Sequence, residues 1–122
     1  MIEAIDCLLH LRLEFTINLL LKRNNCMFVI LLNYNKPLSE VDRFVGEHLD
    51  FLEQNYSSGH FLLSGRKEPR TGGVILAKAE TRAEIESIVG NDPFHREKIA
   101  EYEIIEVLPS MASTELAHLK TA

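Results

Sequence analysis

The stretch MFVILLNYN, residues 27–35, constrains this chain more than any other. It opens with an unbroken apolar run that is apolar at both parities. Met27, Val29 and Leu31 fall on one side of an extended chain, and Phe28, Ile30 and Leu32 on the other. Side chains of a strand alternate between two faces, so this run reads as a strand covered on both of them. The fold must therefore supply, or recruit, material for two sides of a sheet.

The segments that follow supply a limited amount. KPLSEVDRFVGEHLDFLEQNYSSG, residues 36–59, predicts a helix: Val41, Phe44, Val45, His48, Phe51, Leu52 and Tyr56 recur at helical spacing. Ser39 is the expected cap, with Asp42 as a short-armed capping-box partner and Gly59 as the stop. His48 thus belongs to the apolar stripe. HFLLSG and GGVILAKA predict two strands joined by RKEPRT, an antiparallel hairpin with a basic tip. TRAEIESIVGN predicts a short helix capped by Thr81, with Glu84 completing a capping box and Gly90 ending it. Asp92-Pro93 opens a turn or short helix before a last strand, EYEIIEVLP, and the tail 110–122 predicts a helix from near Ser113 or Thr114.

The order is β-α-β-β-α-β, an α+β chain of the ferredoxin-like kind. Two helices cover one face of a four-stranded sheet. The strands are apolar on both, so a homodimer with its sheets face to face is expected to cover the second.

Length and charge narrow the rest. At 122 residues the chain suits one small domain, and its formal charge of −5 argues against binding a nucleic-acid backbone. The first 26 residues are leucine-rich but interrupted by Glu3, Asp6, Arg12 and Glu14, so they form neither a secretory leader nor a membrane span. Residues 1–26 read as an upstream extension, consistent with a misassigned start codon; the competing reading is an amphipathic helix that packs on the domain or a partner. Cys7 and Cys26 have no metal or redox spacing, which favours reduced thiols and a cytoplasmic setting.

From Met27 onward the sequence resembles the YciI-like (YCII-related) family. DRFVGEHLDFL (42–52), GHFLLSGRKEPRTGG (59–73) and DPF (92–94) carry the resemblance, which spans residues 27–109. It implies a dimeric α+β barrel and a pocket holding a histidine–aspartate pair, which falls on His48 and Asp92. Relatives include a dehydrochlorinase of chlorinated hydroxyhydroquinones, and the fold is shared with muconolactone isomerase.

Each candidate has a plainer alternative. His48 is either a satisfied core histidine or a general acid/base, a role suited to a side chain that titrates around neutrality. Asp92 before Pro93 fits a helix cap. A carboxylate has two oxygens, so one can cap while the other orients His48. Ser64, ending its strand beside Gly65, is expected at the pocket mouth as a hydrogen-bonding group, not a nucleophile. Arg66, with Lys67 and Arg70, is either solvated or a seat for a substrate carboxylate or phenolate. Arg43 is expected at the pocket edge, and Phe94 and Tyr102 as core or pocket wall. His48, His60, His95 and His118 lack metal-ligand spacing, and the glycine loop lacks a nucleotide pattern, so no metal or cofactor is expected.

The expected function is cofactor-independent acid/base chemistry, elimination or isomerisation, on a small organic substrate. The alternative is a non-catalytic ligand-binding or accessory module, favoured if His48 stands beyond hydrogen-bond reach of Asp92.

Overall fold

The computed structural model describes residues 26–120. In chain order it contains β1 (Cys26–Tyr34), α1 (Leu38–Asp42), α2 (Val45–Ser57), β2 (Phe61–Arg66), β3 (Gly72–Ala79), α3 (Arg82–Val89), α4 (Pro93–Arg96), β4 (Ala100–Val107) and a 3-10 turn (Thr114–Leu119). The strands form one sheet in the order β2-β3-β1-β4 with every neighbouring pair antiparallel. The protein is thus α+β, compatible with a ferredoxin-like layout.

β1 lies inside the sheet, as its double-sided apolar pattern requires. Its two faces differ. Phe28, Ile30 and Leu32 are buried, and register sets them beside Ala77, Ile75 and Gly73 of β3 and beside Glu106, Ile104 and Tyr102 of β4. Val41, Phe51, Ile85, Val89 and Phe94, from the helical segments, complete this core. Met27, Val29 and Leu31 point the other way, level with Leu76 and Val74, and are half-buried. Leu63 and Ile105 on that second face are exposed. Among the described residues, helices cover one face of the sheet only.

Several local expectations are corrected. The first helix is two: Arg43 N–H reaches Glu40 O and Phe44 N–H reaches Val41 O, three residues back rather than four, and this tight turn separates α1 from α2. Ser39 lies inside α1; Pro37 is the cap residue, with no side-chain capping bond. Thr81 does cap α3, its Oγ1 accepting Glu84 N–H at 3.2 Å, but Glu84 Oε1 accepts the N–H of Glu80, not that of Thr81. The tail forms a helix where expected, from Thr114 to Leu119 with Ser113 as its cap residue, and it is of the 3-10 type. Cys26 belongs to β1, one residue before the expected strand start. The expectations for residues 1–25 lie outside the described residues.

Candidate active site

Asp92 is where three elements converge. It precedes Pro93, which holds it extended (φ −72°, ψ 128°), and its Oδ1 accepts Phe94 N–H at 3.0 Å, capping α4. The same oxygen lies 2.8 Å from His48 Nδ1 in the first turn of α2. Oδ2 accepts the hydroxyl of Tyr102, which the register of β4 places on the helix-covered face beside Leu32. The side chain is fully buried, and a carboxylate is tolerated there only because donors surround it. Burial, and then the charge of Asp92, push the Tyr102 hydroxyl above its ordinary pKa, so it stays a donor.

This arrangement fixes the imidazole. A carboxylate oxygen accepts, so Nδ1 carries the proton and Nε2 is the ring nitrogen left for a ligand. Phe94 stacks on the ring with centroids 4.1 Å apart and planes within 8°. The helix cap thus delivers both the carboxylate and the ring against which His48 lies. His48 retains 14% exposure and lines a cavity of about 390 Å³, within the range of small-molecule sites.

The cavity lies between α2 and the end of the sheet. Val45, Leu49, Leu52, Ile75 and Phe94 supply apolar wall; Tyr34, Ser64, Arg66 and Arg70 are its polar groups besides His48. Strand parity aims two of these. Ser64 pairs with Ile75 and Arg66 with Gly73, so both leave β2 on the helix-covered side, toward His48. Gly73 has no side chain in the row between Arg66 and Leu32, which keeps the cavity floor open. Its neighbour Gly72 is required for a different reason: a Cβ there would come within 1.8 Å of Leu32 O. Ser64 Oγ lies 2.6 Å from Tyr56 Oη. Arg70 is paired to Asp42 at 2.6 Å, a contact that raises its pKa further.

The expected residues separate clearly. His48 and Asp92 are in contact, and Ser64, Arg66 and Phe94 line the cavity beside His48. Arg43 does not join them: it is exposed, pairs with Glu40 at 3.2 Å and lies over the Phe44 ring. The division of labour on Asp92 also differs from expectation, because one oxygen both caps and orients while the second serves Tyr102. Sequence reasoning placed Tyr102 as wall and did not single out Tyr34. The parity of EYEIIEV sets Tyr102 with Ile104 on one face, but nothing local links it to Asp92.

A second histidine provides a control. His60 Nδ1 is 2.7 Å from Ser58 Oγ and its Nε2 is 3.1 Å from Glu84 Oε2. Both nitrogens are engaged, and His60 is not among the residues lining the cavity.

A four-stranded α+β chain with a buried His–Asp pair in the wall of a mostly apolar cavity belongs among small pocket-bearing proteins. More narrowly, the chain is a member of the YCII-related domain family, whose pattern matches residues 27–108. No curated protein matches the sequence. Among the described residues no helix is long and apolar enough to cross a membrane, and no group of three or more His, Cys, Asp or Glu side chains is placed to hold a metal ion.

Proposed function

We propose that the protein is a small acid/base enzyme in which His48 moves a proton on an organic molecule held in the cavity and Asp92 orients it. The observation that carries this is the 2.8 Å contact between His48 Nδ1 and Asp92 Oδ1, which commits one ring nitrogen and leaves the other for the cavity. Nε2 takes the proton of an acidic C–H; the imidazolium is stabilised by the carboxylate behind it; the proton then returns at a second position, giving isomerisation, or the electron pair expels a leaving group, giving elimination. The reaction draws on side chains alone. A histidine out of reach of Asp92 would have favoured a pure binding module, and the short contact favours the enzyme.

The same reading includes a homodimer. Leu63 at 54% and Ile105 at 37% exposure, with half-buried Val29, Leu31, Val74 and Leu76, leave an apolar sheet face for a second copy.

The test is deuterium exchange by NMR over a panel of cyclic ketones, lactones and halogenated phenols. The wild type exchanges or eliminates at least one member, and His48→Asn lowers that rate by about 10²–10⁴-fold with an unchanged circular dichroism spectrum. Equal rates for the two proteins would remove the acid/base reading.

A further inference from the structure

The cavity's charge bears on what it holds. Its lining includes two arginines and no aspartate or glutamate, in a chain whose formal charge is −5. The two cations are not equivalent. Arg70 is committed to Asp42 at 2.6 Å. The Arg66 side chain makes no hydrogen bond or ion pair within the described residues, although its loop neighbour Lys67 is bonded to Asn33. Strand parity sends Arg66 off β2 on the same side as Ser64, over the space that Gly73 leaves open. On the wall facing it are the aliphatic chains of α2 and the Phe94 ring. The Asp92 charge does not compete for it, being fully buried and already met by His48, Tyr102 and the Phe94 amide.

The geometry points to a small organic anion as the ligand: an apolar body of ring size against Phe94 and Leu52, with a carboxylate or phenolate oxygen on the Arg66 guanidinium. Arginine suits that end because its planar fork matches a carboxylate with two parallel hydrogen bonds. With a single proton on the ring, the His48–Asp92 pair carries a net charge of −1 and offers an anion no attraction of its own. The field at the anion therefore comes from Arg66, with Arg70 behind it. The inference rests on the acid/base reading for what happens to the ligand, but not for whether it binds.

Two carboxylates, benzoate and cyclohexanecarboxylate, and their uncharged amides serve as probes. Each is titrated into the full chain and followed by ¹H–¹⁵N NMR. At least one carboxylate is expected to saturate, moving the signals of residues 64–66 and 94, with its amide roughly tenfold weaker. Added sodium chloride should weaken the carboxylate and spare the amide. Arg66→Gln should bring the carboxylate down to the affinity of its amide and leave the amide unchanged. The inference fails if acid and amide bind equally, if neither carboxylate saturates, or if Arg66→Gln weakens acid and amide in parallel. Its fate is separable from that of the acid/base reading. Charge preference without His48-dependent proton exchange leaves a site that binds anions only. His48-dependent exchange on neutral compounds without charge preference sinks the anion and keeps the enzyme.

Discussion

His48, in the first turn of α2, and His60, just beyond its last, both touch a carboxylate, yet they stand in different chemistry. His60 bridges Ser58 and Glu84, with both ring nitrogens engaged and 28% exposure. It ties the end of α2, the start of β2 and the start of α3 together. His48 has one nitrogen on a fully buried carboxylate, a stacked phenyl ring on its flat side and a cavity in front. A histidine–carboxylate contact is therefore not a site in itself. What distinguishes the two is whether a nitrogen is left over and whether there is room before it.

The largest effect that would sharpen this contrast comes from the carboxylates. Asp92→Asn should cost about a hundredfold or more in turnover of any substrate found, because the amide no longer fixes the protonated Nδ1. Glu84→Gln, assayed alongside, should leave turnover unchanged; equal losses would erase the distinction between the two histidines. Next is an alkaline effect. Tyr102 has a folded pKa above its unfolded one, so the folded state keeps a proton that the unfolded chain gives up. Its contribution is complete below about pH 10 and declines as pH rises further, by about 1.4 kcal/mol per pH unit. Urea titrations from pH 9 to 11 should show that extra decline in the wild type and its loss in Tyr102→Phe. Smaller still, His60→Gln should lower unfolding free energy by about 1 kcal/mol, the worth of ordinary hydrogen bonds, with no effect on catalysis. At the bottom of the scale, Arg43→Ala should change stability by less than about 0.5 kcal/mol and turnover not at all, since its contacts are solvent-exposed.

Much of the frame was legible in the chain itself. The double parity of MFVILLNYN marked β1 as a strand apolar on both faces, and the two-glycine approach to β3 marked the hairpin, because both follow from local geometry. Asp92 could be read as a cap from Asp-Pro alone, and the family resemblance added His48. The remainder depends on distance. The tight turn at Arg43 and Phe44 interrupts an apolar spacing that looks continuous in sequence, and it leaves Arg43 facing solvent. The sharing of Oδ1 and the arrival of Tyr102 at Oδ2 arise from docking β4 and α2 on one loop, which no periodicity encodes.

Gly73 has a consequence for how such a protein can change. It sits in the strand row between Arg66 and Leu32, where the nearest atom to an added Cβ is Gly65 O at 3.1 Å, a tight but adjustable approach. A Cβ placed there takes up part of the chamber while meeting only Gly65 O within 4 Å. Under the proposed function, the girth of the molecule held is set by one codon and the acid/base pair by others, so size preference can drift while His48 and Asp92 stay in place.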